Sequence, residues 1–512
     1  MVEGLIEDTH ERRGIKMERI RYMSTRGAET QIEASYAILR GIAKDGGLYV
    51  PDRIPAIDMD INDMVNMSYQ EIAYQVMKDY LSDFTENELK NCIRKAYDDK
   101  FDTQCIVPVV KKGDVTYLEL FHGSTIAFKD MALSILPHLM TTSMKKQGID
   151  QEVVILTATS GDTGKAALAG FADVEGTRII VFYPKDGVSP IQEKQMVTQK
   201  GDNTYVVSID GNFDDAQSGV KDIFTNIEFR KTLGENGFRF SSANSINIGR
   251  LLPQVVYYFY GYAQMLKQEE IKAGEAINIV VPTGNFGNIL AAYYAKKMGL
   301  PVNRLICASN DNKVLYDFFR TGIYNRKRDF KLTISPSMDI LISSNLERLL
   351  YEMTEFSGAQ TEELMSQLNK HGEYAIKNMN EFSCFYGNYA TEEETYAAIK
   401  EVYDERGYVI DPHTAVGYCV YKKFREETAD ERKVLLASTA SPYKFTKSVM
   451  KAIDPKYNEI DDLALIDELK ATSGVPVPNA IKEILEEESR HQRDCETENM
   501  QNVVASILNI EL

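Results

Sequence analysis

An α/β fold with a mainly parallel sheet covered on both faces is the architecture this sequence predicts, and two observations predict it. From about residue 115 onward, short β-branched runs alternate with Gly-containing loops and helical segments. Those runs are continuously apolar and not alternating, as in strands buried on both sides. In chain order, residues 1–16 read as a charged, solvated tail, with Met17 a candidate alternative start. From about 60 to 100 the pattern is helical: Ile72, Val76 and Tyr80 share one spacing, and Glu88, Leu89, Ile93 and Ala96 a second. Residues 153–157 read as a strand, 158–164 as a loop, 165–173 as a helix and 179–183 as the next strand, a βαβ unit. The same grammar recurs at 205–209, which leads through Gly211 into a helix, and at 277–281, which leads through PTGNFGN into a helix over 289–298. Gly299 and Pro301 stop that helix. Another apolar run, 434–437, precedes Ser438-Thr439-Ala440-Ser441. Residues 355–405 and 455–512 read as polar, Glu-rich helix.

The chain has 512 residues, enough for roughly three units at about 150 residues each. Its 58 Lys and Arg stand against 76 Asp and Glu, a net charge of −18, which disfavours nucleic acid as a partner. No apolar run approaches the roughly 18 residues a membrane span needs, and the charged N-terminus lacks a secretory core, so a cytoplasmic location without membrane attachment is expected. The six cysteines form no CxxC pair and the histidines no HxxxH pair, so neither a disulfide framework nor a metal site is indicated.

In such folds ligands bind beyond the carboxyl ends of strands. Thr283-Gly284-Asn285-Phe286-Gly287-Asn288 lies at such a place, and its glycines and helix-start N–H groups suit an anion; a tight turn needing positive φ is the alternative. Ser160-Gly161-Asp162-Thr163-Gly164-Lys165 meets neither the P-loop nor the GxGxxG pattern, which disfavours nucleotides. Lys129, in FHGSTIAFKD, opens a helix and is flanked by Ala127, Phe128 and Met131. Helix dipole and apolar neighbours would both favour the neutral amine, the form that makes a Schiff base. A snorkelling surface lysine is the other reading.

Taken together, YMSTRG at 22–27, DGGLYVP at 45–51, FHGSTIAFKD at 121–130, TATSGDTGK at 157–165, DGNFDD at 210–215, NSINIGRLLPQ at 244–254, VPTGNFGN at 281–288, DPHTAVG at 411–417 and STASPYKF at 438–445 resemble, in content and order, the threonine synthase family in its long bacterial and fungal form. The resemblance spans about residues 17–450. It implies fold type II of the pyridoxal-phosphate enzymes, with two lobes of mainly parallel sheet flanked by helices and an additional helix-rich N-terminal domain. The implied domains are 17–105 (N-terminal), 106–455 (a two-lobed catalytic body) and 456–512 (a helical extension). Carried over by motif, Lys129 is the Schiff-base lysine and general acid/base. Gly284, Asn285, Phe286, Gly287 and Asn288 cradle the phosphate of pyridoxal 5'-phosphate, and Thr439 meets its ring nitrogen. Ser160, Gly161, Asp162 and Thr163 form the loop that holds substrate carboxylate and the phenolic oxygen of the cofactor, where many relatives have Asn for Asp162. Ser124 and Thr125 join the substrate-binding set; Ser124 is often Pro, and Ser441 often His, in the family. Arg26, Arg250, Asn244 and Asn247 are candidates for the substrate phosphate, a helix-surface ion pair being the alternative for Arg250. His413 receives no role, since Asp411 and Pro412 already make a good helix start.

The implied reaction converts O-phospho-L-homoserine and water to L-threonine and phosphate, by a monomer or homodimer. A phospholyase releasing 2-oxobutyrate, and a non-catalytic binding protein of the same fold, are the competing expectations.

Overall fold

The computed structural model describes residues 19–511, except 160, 186, 189, 377, 378, 380 and 381. The expected charged tail and alternative start lie outside the described residues. Two sheets organise the chain. The larger has six strands in the order Phe385–Tyr389, Val302–Ser309, Ile277–Pro282, Val434–Ser438, Val115–Glu119, Val109–Lys112, parallel except for the last pair. The smaller has five parallel strands in the order Arg493–Glu496, Thr204–Asp210, Thr177–Pro184, Glu152–Ala158, Phe238–Ser241. The continuously apolar runs are the strands buried on both faces: every residue of Ile277–Pro282 and of Val434–Ser438 is buried.

The helix Ile248–Lys267 is almost wholly enclosed along its 20 residues, with Leu251, Leu252, Val255, Val256 and Phe259 inaccessible. Against it packs the N-terminal helix Tyr69–Met77, fixed by a capping box between Ser68 and Glu71. This contact gives the N-terminal segment and the body one continuous apolar core. Tyrosine suits that junction because its ring fills core space while its hydroxyl finds a carbonyl. Tyr97 donates to the Met131 carbonyl at 2.7 Å, tying the N-terminal helices to the segment that follows Lys129.

Two stretches expected to be helical contain edge strands. Phe385–Tyr389 interrupts the polar stretch 355–405, between the helices Gly358–His371 and Glu392–Arg406. Arg493–Glu496 interrupts the extension and adds to the open edge of Thr204–Asp210. Both have their place from a neighbouring strand's unpaired backbone and not from an apolar pattern of their own. The extension's other pieces, Leu465–Ser473, Asn479–Glu486 and Met500–Leu508, are helical as expected. Among the described residues no helix is long and apolar enough to cross a membrane.

Candidate active site

Four chain segments that follow strand ends converge. Val115–Glu119 runs on to Lys129, Glu152–Ala158 to Asp162, Ile277–Pro282 to the 284–288 loop, and Val434–Ser438 to Thr439. The first and last are stitched together: the Phe128 N–H donates to the Thr439 carbonyl at 2.8 Å, the Ser441 N–H to the Ile126 carbonyl at 3.0 Å, and Ala127 bridges to Ala440. Thr439 is thereby held beside the lysine segment, with its side chain buried.

Lys129 stands just before a single helical turn, Asp130–Leu133, in place of the longer helix expected; a second helix, Leu136–Lys146, follows. Its side chain is 13% exposed. Nζ donates to Ser337 Oγ at 3.0 Å and lies 3.6 Å from Asp162 Oδ2. Ser337 Oγ in turn donates to Asp162 Oδ2 at 3.0 Å. Burial lowers the pKa of the Lys129 ammonium; Asp162 opposes this, while the charges of Lys444 and Arg250 add to it. The balance shifts toward the neutral amine, the direction its sequence setting suggests. Asp162 goes the other way: burial would raise it, but Lys444, Lys129 and the Gln192 amide at 2.9 Å outweigh burial and hold the carboxyl far below its usual range. Asp162 is thus an acceptor only.

Ser337 is fixed from behind. Its N–H donates to His413 Nε2 at 3.2 Å, so His413 carries its proton on Nδ1, 2.7 Å from Asp411 Oδ2. Asp411 also caps its helix, accepting from the His413 and Thr414 N–H groups. His413 is therefore a link in the chain that places Ser337. A Cβ on Gly284 would come within 2.5 Å of the Ser337 carbonyl, so the approach of these two loops requires glycine there.

The 284–288 loop is preorganised for an anion. Phe286 is left-handed, φ 62°, with its ring buried against Phe319 and Phe385. The Asn285 carbonyl accepts from the Asn345 backbone and side chain, at 3.1 and 3.0 Å. From Gly287 the helix Gly287–Lys297 begins, and its first N–H groups have no intrahelical acceptor. Asn288 Oδ1 accepts from the hydroxyls of Tyr257, at 2.6 Å, and Tyr258, which turns the amide Nδ2 outward. That Nδ2 is buried and has no partner among the described residues. An orphaned donor at a helix N-terminus, with a buried amine and a threonine from adjacent loops, fits the phosphate, aldehyde carbon and ring nitrogen of pyridoxal phosphate.

Arg250 is 4% exposed, on the central helix. Nη1 donates to the Ala243 carbonyl at 3.0 Å, Nε has no partner, and no described carboxylate pairs with it. Burial alone pulls its pKa down to about 10. The surface ion pair considered for it does not exist. Two other candidates have protein partners of their own. The Arg26 guanidinium grips Glu347 with two bonds of 3.0 Å and lies 3.3 Å from Glu362, so its charge is already matched. Asn247 caps the central helix, accepting from Gly249 and donating to the carbonyls of Ile38 and Ser242, so it positions Arg250. Thr125 is also committed: its N–H and hydroxyl bind buried Asp130 at 2.8 and 2.6 Å. Ser124 lines a cavity of about 180 Å3 with Lys165, Gln199 and Glu483. Gly161, at φ 134°, starts the helix that carries Asp162 and Thr163, and Ser160 lies outside the described residues.

Beside this segment, His122 bridges Asp102 at 2.6 Å and Glu119 at 2.8 Å. Burial disfavours its charge, but the two carboxylates outweigh burial and push it up to about 9. Because the folded value exceeds the unfolded value of about 6.5, the stabilisation is complete below that pH and disappears as pH rises through about 9. We expect the thermal midpoint of the wild type to fall relative to that of His122→Gln between pH 6.5 and 9. The loss corresponds to about 2 kcal/mol, discounted because Asp102 is 38% exposed. A pH-independent difference would show that the bridge contributes no charge.

Family models match in three consecutive places: threonine synthase N terminus over 21–97, pyridoxal-phosphate dependent enzyme over 112–439, and threonine synthase C-terminal over 414–507. The threonine synthase of Schizosaccharomyces pombe is 35% identical over 511 residues, covering 91% of this chain and 98% of the relative. Threonine synthase-like 1 of Homo sapiens is 38% identical over 460 residues, and the chain spans 61% of its length and is itself covered to 86%. The crystal structure of a PLP-bound threonine synthase from Brucella melitensis superimposes with a TM-score of 0.83 at 34% identity, covering 96% of this chain and 98% of that one. With three family models over most of its length and a relative 35% identical across nearly the whole of both chains, the chain belongs to the threonine synthase family of pyridoxal-phosphate-dependent enzymes.

Proposed function

We propose that this chain is a threonine synthase, which converts O-phospho-L-homoserine and water to L-threonine and inorganic phosphate. The observation that carries the reading is Arg250: a buried guanidinium without an acidic partner, close enough to Lys129 to act on its charge. One anion-receptive place, the 284–288 loop, suits the cofactor phosphate; a second, fully charged one suits a substrate that brings a phosphate of its own. When bound, pyridoxal phosphate supplies an electron sink for the substrate's Cα. Gly284, Asn285, Phe286, Gly287 and Asn288 would hold its phosphate, Thr439 its ring nitrogen and Lys129 its aldehyde carbon.

Within that frame the chain's own groups have distinct tasks. Arg250 anchors the substrate phosphate, which places Cα and Cβ near Lys129. Lys129 Nζ, once freed, takes the proton from Cα and later returns one; a neutral amine is needed for the first event. Ser337 and Asp162 keep Nζ at one position, and Asp162, held ionised, cannot compete as an acid. A Cβ proton leaves, and the Cγ–O bond breaks with its electron pair going to phosphate, which takes up a proton as it departs. A proton enters at Cγ, and water adds its hydroxyl at Cβ while Cα is reprotonated. Thr163, Ser160 and Ser124 belong to the loops that would receive the substrate carboxylate.

The deciding experiment is product analysis with purified chain, pyridoxal phosphate and O-phospho-L-homoserine. Threonine and phosphate should appear in equal amounts. Phosphate accompanied by 2-oxobutyrate and ammonia would make the chain a phospholyase, and no phosphate release would overturn the reading.

A further inference from the structure

Lys444 has no task in the steps above, yet it is completely enclosed, with 0% side-chain exposure. Its Nζ lies 3.2 Å from Asp162 Oδ1, and it donates to the Thr125 carbonyl at 2.9 Å and to Gln195 Oε1 at 3.5 Å. An ammonium has three donors, and these three acceptors use all of them. Only one of the three is charged. Asp162 consequently stands between two lysines, Lys444 on Oδ1 and Lys129 on Oδ2.

This arrangement resolves a conflict in the site. A buried carboxylate 3.6 Å from Lys129 is a good orienter through Ser337, but alone it would hold the amine as an ammonium, because an opposite charge at that range favours the charged form. An ammonium cannot attack a carbonyl carbon. We propose that Lys444 is a positioning residue that cancels the charge of Asp162, so that the carboxylate orients Lys129 without trapping its amine as an ammonium. The two residues together do what one neutral amide would do. The inference rests on the reading of Lys129 as the cofactor-bearing amine. Arg250 acting on Lys129, His413 acting on Asp162, and Asp130 and Lys165 facing Lys444 are the other charged or titratable groups in this field.

The test is a double-mutant cycle read on Lys129 itself. Cofactor-free wild type, Lys444→Met, Asp162→Asn, the double variant and Lys444→Arg are labelled with sub-stoichiometric acetic anhydride across pH. Mass spectrometry then gives acetylation of Lys129 relative to exposed Lys231. The pH of half-maximal labelling should rise by about one in Lys444→Met, a tenfold loss of neutral amine, and fall by about one in Asp162→Asn. It should return to the wild-type value in the double variant and stay there in Lys444→Arg. A purely structural role would not produce shifts of opposite sign that cancel. Shifts of the same sign in the two single variants, or a double variant that does not return to the wild-type value, overturn the proposal. Should Lys444→Met not fold, the fall in Asp162→Asn and its reversal in the double variant decide the matter, and the lack of either is decisive against it. Threonine formation by the loaded wild type is scored separately; its absence would sink the reaction assignment while the labelling still decides the role of Lys444.

Discussion

Lys129→Ala should lose at least about 10³-fold in threonine formation and should give no visible absorption band with pyridoxal phosphate, while remaining folded. The size follows from the double role proposed for Nζ, which would bond the cofactor and move the Cα proton, and the described residues around it offer no substitute. Lys444 is tied to three acceptors and Lys165 to Gln199, at 2.6 Å. The variant should fold because what it removes is small. Asp162 keeps Gln192, Ser337 and Lys444, and the backbone of 126–128 keeps its bonds to 439–441. The thermal midpoint should move by only a few degrees. Lys129→Arg is the sharper control, since it fills the same space beside Asp162 but cannot form the carbon–nitrogen double bond, and it should be as inactive as the alanine variant. Threonine produced by either at more than about a tenth of the wild-type rate would remove Lys129 from the mechanism.

The elements proposed to bear the chemistry are legible in the sequence where function itself would impose local composition. Lys129, the 284–288 loop and Arg250 each lie in a short run whose residues serve one purpose, so the run can be read without its partners. The residues that position them could not be read that way. Ser337 lies in a three-residue 3-10 turn, Pro336–Met338, with no glycine signal and no α-helix, and it matters only because Gly284 and His413 bring it to Lys129. Gln192 and Gln195 come from the helix Pro190–Val197, which has no amphipathic pattern to single it out. Lys444 was inside a recognised motif, but nothing in a linear string shows that its amine turns inward to Asp162. The same reasoning covers Arg26 and Asn247: their motif positions were right and their partners, Glu347 and the Ile38 carbonyl, are far away in sequence. Edge strands failed for the related reason that their pairing is supplied by a neighbour.

Arg250→Met should lower kcat/KM for O-phospho-L-homoserine by about 10²- to 10³-fold and at the same time raise the thermal midpoint of the protein. The first effect is the loss of a charge-assisted contact with a dianion, about 3–4 kcal/mol of transition-state binding. The second follows from the cost of the residue as it stands. A guanidinium that is 4% exposed, with a partnerless Nε and no described carboxylate, is an uncompensated buried charge. Replacing such a group by an apolar side chain of similar length is worth about 1–4 kcal/mol to the fold. A residue retained for stability would show the opposite pairing, lost stability with activity preserved, and that outcome would remove Arg250 from the substrate site. Inorganic phosphate separates the two cases further. Added to the cofactor-loaded wild type, it should raise the thermal midpoint in proportion to the logarithm of its concentration once binding is saturated, and it should do so much less in Arg250→Met. The Arg250→Lys variant should fall between them, because an ammonium supplies the charge without the fork that grips two oxygens.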